Sequence, residues 1–436
     1  MSLSFFGDLL QTITERGRDL IRGRTEAPEQ GDLSLACETL LSSRGEASGV
    51  GRALAILDRW DALDATGRLA FLKALADRFG PDQGRVAKAV DAWRADPGPA
   101  TMAALHEAAE PRRQELIRRL NLAPGGIATL VRMREELFRH QGDHRELDAV
   151  DADFVHLFSS WFNRGFLVLR RIDWTTPAHI LEKIIQYEAV HEIAGWDDLR
   201  RRLAPPDRRC FGFFHPQLPD EPLIFVEVAL TPAIPATIAE VLAEDRTPIA
   251  AEQATTAVFY SISNCQKGLR AISFGNFLIK QVVEELRRDL PALDTFVTLS
   301  PVPGFAAWAK AEADRPAALD QDGWWRDDGL RAEVEQALLP MAARYFVEER
   351  GRGGRVIDPV ARFHLGNGAR LERLNFLGDL SPRGLKQAHG LMVNYLYRLP
   401  DIEKNHEAYA VQGKVVAAPA VTKLLRPAAA SRRKRG

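Results

Sequence analysis

Residues 255–305 read TTAVFYSISNCQKGLRAISFGNFLIKQVVEELRRDLPALDTFVTLSPVPGF. The run 255–263 is rich in β-branched and aromatic residues, which is strand chemistry. Phe274, Phe277, Leu278, Val282 and Leu286 then recur at helical spacing and form one apolar face, suited to packing on a sheet. A second strand is predicted at 294–300. Between the first strand and the helix lies QKGLRAISFG, with Gly268 and Gly275 where the helix starts. The N–H groups at a helix N-terminus lack intrahelical partners and carry partial positive charge, and small residues let an anion approach them. The loop therefore suits a pyrophosphate, although a plain strand–helix turn accounts for the same residues. The second strand runs into Ser300-Pro301-Val302-Pro303-Gly304-Phe305, where two prolines remove backbone donors and stop it. This places Ser300 at the open end of the sheet beside the loop, where ligands of open α/β sheets bind.

The same chemistry extends outward. FLVLRRI (166–172), PLIFVEVAL (222–230), RLNF (373–376) and VNYLYRL (393–399) are further strand candidates. TPAHILEKIIQYEAVHEIAGWDDLRRRL reads as helix from Thr176-Pro177, a cap followed by proline at the first helical position. Residues 1–160 differ, since apolar residues recur there every three or four positions and strand patterns are nearly absent. Leu54, Leu57, Trp60 and Leu63 make one such stripe, and Pro97-Gly98-Pro99 and Pro124-Gly125-Gly126 punctuate the helices. The expected organisation is a helical packing or assembly domain at 1–160, an α/β domain at 161–426 and a basic disordered tail at 427–436.

Composition narrows the class. The chain has 436 residues, 46% hydrophobic and 27% charged, the profile of a folded globular protein. The formal net charge is −1, but residues 423–436 hold six basic residues and no acid, which leaves −7 for residues 1–422. A protein devoted to a nucleic-acid backbone normally carries a basic excess, so nucleic acid is not the expected partner. No apolar run approaches the roughly 18 residues of a membrane helix. Cys37, Cys210 and Cys265 are far apart and form no CxxC, which disfavours a disulfide framework or cysteine-built zinc site and favours a reducing compartment. The start MSLSFFGDLL lacks the pattern of a secretory signal and the end RRKRG is not a peroxisomal SKL, so the expected location is the cytoplasm.

Few catalytic motifs survive inspection. No GK[ST] or GxGxxG occurs in the chain, and Gly195 stands where a zinc-protease HExxH beginning at His191-Glu192 needs its second histidine. His364 in FHLGNGA is a candidate proton shuttle, as imidazole titrates near neutrality, though a structural histidine fits as well. His106, His140, His156, His179, His191 and His389 fall in stretches that read as helix, and His144, His215 and His406 in polar loops.

Taken together, FYSISNCQKGL with FGNFLIKQVVEEL, TLSPVPGF, and DPVARFHLGNGARLERLNFLGDLSPRGLKQAHGLMVNYLY resemble malonyl-CoA decarboxylases. YEAVHEIAGWDDLRRRL and RRCFGFFHPQLPDEPLIFVEVAL extend the likeness over roughly residues 165–400, in order. The resemblance implies an N-terminal all-α domain used in oligomerisation, to a dimer or tetramer, followed by a catalytic domain similar to the GNAT acetyltransferase fold. It implies conversion of malonyl-CoA to acetyl-CoA and CO2, no cofactor and no metal, and a place in fatty-acid metabolism. The family's catalytic Ser falls on Ser300, its catalytic His on His364, and a nearby Tyr on Tyr397. The CoA-binding loop falls on Gly268, Arg270, Ala271, Ile272, Ser273, Phe274, Gly275 and Asn276. Two features depart from related patterns. Ser273 stands where some relatives carry an acid, and Cys265 stands where the acetyltransferase loop has Gln or Arg.

The implied chemistry is coherent. Loss of CO2 leaves a thioester enolate, and the thioester is its own electron sink. The protein must orient the carboxylate, supply donors to the developing oxyanion and protonate C2. In this reading His364 stabilises the enolate and relays a proton, Ser300 positions the malonyl group, and Tyr397 orients His364; the division between Ser300 and His364 stays open. Two other classes fit parts of the pattern: a CoA-dependent N-acyltransferase, which would need an acceptor amine, and a catalytically silent assembly protein.

Overall fold

The computed structural model describes residues 32–42, 46–272, 274, 278–351 and 353–425. Its described residues divide into two compact units. The first draws on Met1–Val168, Phe214–Pro222 and Gln266–Phe274; the second on Leu169–Phe213, Leu223–Cys265 and Gly275–Gly436. The expected basic tail at 427–436, with Ser273, Gly275, Asn276 and Phe277, lies outside the described residues.

The first unit is built on helices α1 (Leu33–Ser42), α2 (Glu46–Ala62), α3 (Ala65–Arg78), α4 (Gln83–Ala95), α5 (Pro99–Ala109), α6 (Arg112–Asn121), α7 (Gly126–His140) and α8 (Leu147–Trp161). The stripe read from the sequence buries Leu54, Leu57 and Trp60, while Leu63, past the end of α2, is half-buried. The Trp60 ring lies 5.3 Å from Phe71 of α3. Side chains of Asp64 and Asp82 cap α3 and α4 by accepting from Gly67 N and from Gly84 N and Arg85 N. The punctuation falls as expected: α5 starts with Pro99 in its first turn, and α7 starts at Gly126. A Cβ on Gly126 would stand 2.2 Å from Leu120 O, so the α6–α7 corner requires glycine. Buried Arg113 donates to Asp153, tying α6 to α8. Removing one partner of such a pair typically costs 3–5 kcal/mol, because the other charge stays buried.

The second unit carries most of the eight-stranded sheet, with strand residues Val168, Phe214, His215 and Leu218–Pro222 belonging to the first. In chain order it uses β1 (Val168–Ile172), α9 (Ala178–Tyr187), α10 (Trp196–Leu203), β2 (Arg208–His215), β3 (Leu218–Thr231), α11 (Ile238–Leu242) and β4 (Thr256–Asn264). It continues with α12 (Leu278–Asp289), β5 (Thr295–Thr298), β6 (Ser300–Pro301), α13 (Phe305–Ala309), α14 (Asp328–Val347), α15 (Pro359–Gly366), β7 (Arg370–Asn375), α16 (Pro382–Ala388), β8 (Met392–Leu396), α17 (Ile402–Gln412) and α18 (Pro419–Leu424). The strand order is β1-β2-β3-β4-β5-β8-β6, with β7 also paired to β8. The β3–β4, β5–β8, β6–β8 and β7–β8 pairs are antiparallel, whereas β4 and β5 are parallel in the register Thr256↔Thr295 to Phe259↔Thr298. Beyond that register β4 runs on to Asn264, while β5 gives way to β6 against β8. Helix α12 buries Leu278, Ile279, Val282, Val283 and Leu286.

Four expectations change. Strand β2 was not singled out as a strand, and six of its last seven residues, from Cys210 on, are buried, so it shows no polar alternation. The helix read from Thr176-Pro177 to Leu203 is two helices. Glu188 Oε1 accepts from Val190 N at 2.8 Å and His191 N at 2.7 Å, and Arg202 donates to the carbonyls of His191 and Glu192. These side-chain bonds replace the helical ladder over 188–195, so His191 is not helical. His389 is the left-handed cap of α16, His215 lies in β2, and His406 lies in α17. The predicted face of α12 also loses Phe274, which precedes the helix.

Candidate active site

Side chains two apart along a strand share a face. Thr298 and Ser300 are two apart on β5 and β6, and Tyr395 and Tyr397 are two apart at the end of β8. His364 reaches them from the last turn of α15. Asp358 caps that helix, accepting from Ala361 N at 2.8 Å, and Pro359 supplies its preset φ in the first turn. The helix ends at Asn367 and turns through Gly368, whose φ is +82°. A Cβ there would stand 2.2 Å from Ile402 O, so only glycine fits.

The structure brings Ser300, His364 and Tyr397 together. His364 Nε2 lies 3.2 Å from Ser300 Oγ, and His364 Nδ1 lies 2.8 Å from the Tyr397 hydroxyl. Ser300 Oγ is 2.8 Å from Thr298 Oγ1, which also accepts from the Tyr395 backbone N–H at 3.1 Å. The Tyr395 ring stacks on His364, 4.6 Å between centroids and 23° between planes. Asn394 Nδ2 donates to Thr298 O at 2.7 Å. All five side chains, of Thr298, Ser300, His364, Tyr395 and Tyr397, are buried. Burial alone pushes His364 down to about 3 and raises Tyr397 well above the ordinary phenol range. The imidazole is therefore neutral near pH 7, with one N–H donor and one acceptor nitrogen.

Ser300 Oγ–H donates to Thr298 Oγ1, which also accepts from Tyr395 N–H. Tyr397 has His364 Nδ1 as its acceptor. If both hydroxyls donate, His364 carries its proton on Nε2 and donates to Ser300 Oγ. Ser300 Oγ then accepts from His364 and gives its own proton to Thr298 Oγ1. The Ser300 hydroxyl can serve a ligand by turning its proton away from Thr298 Oγ1.

Sequence reasoning missed Thr298 and Tyr395. The signal was present, as each lies two residues before an identified position on the same strand face. A cavity of about 170 Å³ adjoins this part of the second unit. Its walls include Pro301, Val302 and Pro303, directly after Ser300, and Val360, one turn before His364. His191, Asp379 and Arg383 are its ionisable lining residues, and burial pushes His191 down to about 4.

The loop residues are placed in the first unit. Lys267–Leu269 form a short 3₁₀ turn, and buried Gly268 packs on α7, where a Cβ would meet Val131 O at 2.0 Å. Ile272 N donates to Leu269 O at 3.0 Å, closing a turn through Arg270 and Ala271, both exposed. Ile272 and Phe274 are buried, and the Phe274 ring meets Phe162 edge-on at 6.5 Å. Among the described residues no group of three or more His, Cys, Asp or Glu side chains is arranged to hold a metal ion. No helix among them is long and apolar enough to cross a membrane.

Comparison with known proteins agrees along the chain. Residues 165–435 match the family model described as malonyl-CoA decarboxylase C-terminal domain, and residues 79–162 the N-terminal domain. The mitochondrial malonyl-CoA decarboxylase of Anser anser anser is 36% identical over 390 residues, covering 78% of this chain and 76% of its own. The crystal structure of malonyl-CoA decarboxylase from Rhodopseudomonas palustris superimposes with a TM-score of 0.87 at 61% identity, covering 91% of this chain and 100% of that one. That from Agrobacterium vitis gives 0.86 at 63% identity, with the same coverage.

Proposed function

The chain belongs to the malonyl-CoA decarboxylase family, and from that premise we propose that it converts malonyl-CoA to acetyl-CoA and CO2 through a thioester enolate, using Ser300 and His364 and no cofactor. The observation that carries the residue assignment is the buried chain Tyr397–His364–Ser300–Thr298, in which the Ser300 hydroxyl stands between His364 and Thr298.

As the C–C bond breaks, negative charge moves onto the thioester oxygen. A donor held in place beforehand stabilises that charge without reorganising, and removing one such donor typically costs 10²–10³ in rate. In this reading Ser300 O–H, held by Thr298 before substrate binds, meets the developing oxyanion while His364 Nε2–H polarises Ser300. The neutral imidazole suits this task, because the enolate is basic enough to take a proton from a neutral donor. Ser300 gives its proton to C2 as His364 Nε2 gives its proton to Ser300 and Nδ1 takes one from the Tyr397 hydroxyl, so the imidazole stays neutral. Water restores the Tyr397 proton after acetyl-CoA leaves. The malonyl end occupies the cavity beside Pro301–Pro303, whose largely apolar wall strips water from the carboxylate and whose Arg383 holds its charge.

The loop Gly268–Asn276 binds the CoA phosphates, supported by its glycine, its exposed turn and its place before α12. The helical residues 1–160 mediate self-association into a dimer or tetramer, and a single monomeric species in light scattering would oppose this. A reducing compartment such as the cytoplasm suits three cysteines so far apart in sequence.

The function is tested by incubating the full chain with malonyl-CoA and EDTA, without an acceptor. Stoichiometric acetyl-CoA and CO2 are expected. Product formation that requires an amine would favour an acyltransferase, and activity abolished by EDTA would contradict the cofactor-free reading.

A further inference from the structure

The helical region contributes a buried arginine to the proposed CoA loop. Arg134, on α7, is 1% exposed. Its Nη1 donates to Gly268 O at 2.8 Å and to Arg270 O at 2.9 Å, and its Nε donates to Asp151 Oδ1 at 2.8 Å. Its guanidinium lies 4.7 Å from the centre of the Phe138 ring, and that of Arg270 lies 4.1 Å from it. One side chain thus grips two carbonyls of the loop, separated by a single residue.

The turn it grips is strained. Arg270 has φ −54° and ψ 134°, Ala271 has φ +66°, and Ile272 N bonds Leu269 O. These are the angles of a type II turn, whose third position ordinarily takes Gly or Asn. An alanine there is held against its own backbone preference. The peptide between Arg270 and Ala271 is trans and planar, so its C=O and N–H point in opposite directions. With Arg270 O fixed on Arg134, the Ala271 N–H faces away from α7. Among the described residues nothing accepts from it, and Ala271 is exposed.

We propose that Arg134 is a positioning residue for substrate binding: it fixes the Arg270–Ala271 peptide so that the Ala271 N–H is presented to a phosphate of the CoA moiety. The inference rests on reading Gly268–Asn276 as the CoA loop. It gives the helical region a part in substrate affinity separate from self-association. Lysine keeps the charge at this position but cannot grip two carbonyls and a carboxylate in one plane.

The test is steady-state kinetics of the full-length Arg134→Lys enzyme with malonyl-CoA and with malonyl-pantetheine, which lacks the nucleotide phosphates. KM for malonyl-CoA is expected to rise about tenfold with kcat unchanged, while KM for malonyl-pantetheine stays within about twofold. An unchanged KM for malonyl-CoA, or an equal rise for both substrates, overturns the proposal. Should Arg134→Lys fail to fold, Asp151→Ala removes only the acceptor of Nε, and a smaller rise confined to malonyl-CoA is expected; no such rise overturns the proposal. Hydrogen exchange separates the two readings. If CoA fails to slow amide exchange at 269–272 in the wild-type enzyme, the loop assignment itself falls. If CoA slows it equally in wild type and Arg134→Lys, the loop assignment stands and the role of Arg134 falls.

Discussion

Thr298 and Tyr397 bracket the proposed reaction from two sides. Both are buried, and their hydroxyls end the chain of bonds that runs through His364 and Ser300. Thr298→Val keeps the shape but removes the acceptor shared by Ser300 Oγ–H and Tyr395 N–H. Its kcat is expected to fall about tenfold or more, with recovery in Thr298→Ser, which restores the hydroxyl. Equal losses in both variants would assign the effect to packing. The depressed His364 makes a second prediction. With burial holding it to about 3, well under its usual 6.5, His364 is neutral at every pH above about 5. The kcat profile between pH 5 and 8 should therefore show no limb due to His364. A limb near pH 6–7 that disappears in His364→Asn would contradict the neutral assignment. The same shift has a stability consequence. The unfolded histidine takes a proton below pH 6.5 and the folded one does not, so this contribution is complete above pH 6.5 and is lost as pH falls towards 3.

At the level of elements, α15 and its exit decide where His364 stands. Gly368→Ala combines a positive φ with a Cβ 2.2 Å from Ile402 O. The left-handed conformation alone costs about 1–2 kcal/mol for a residue with a Cβ, and the clash adds to it. A lower melting midpoint with a reduced kcat is expected, because the displaced turn adjoins His364; thermal unfolding and kinetics of one preparation check both. The strands at 256–264 and 295–298 and the helix that ends at Asp289 were legible because each has a clear period and clear stops. Strand β2 was not, since a strand buried on both faces shows no alternation. The break after Tyr187 was also hidden, because it depends on Glu188 and Arg202 finding backbone partners. For the site, the family resemblance named Ser300, His364 and Tyr397, which are hydrogen-bonded in series. Residue type and spacing alone left His364 one histidine among ten. Arg134 was invisible for a different reason: its two carbonyl partners lie more than 130 residues away, and no local pattern encodes such a pairing.

For the whole molecule, charge and function are separated. The chain is near neutral overall at −1, but the acidic body must bind a polyanionic thioester, so local donors have to replace a favourable long-range field. Deleting residues 427–436 removes four basic residues, and kcat/KM for malonyl-CoA is expected to stay within about twofold. A large rise in KM would show that the tail holds the substrate. The helical region, expected from sequence to serve assembly, also grips the proposed CoA loop through Arg134.

The central claim is that Ser300 and His364 together carry the decarboxylation. The most direct measurement is kcat for acetyl-CoA formation by Ser300→Ala and His364→Asn, with KM determined in parallel. The account predicts a fall of about 10²–10³ in kcat for Ser300→Ala with KM little changed, and a loss at least as large for His364→Asn. Near-wild-type kcat in either variant would contradict it.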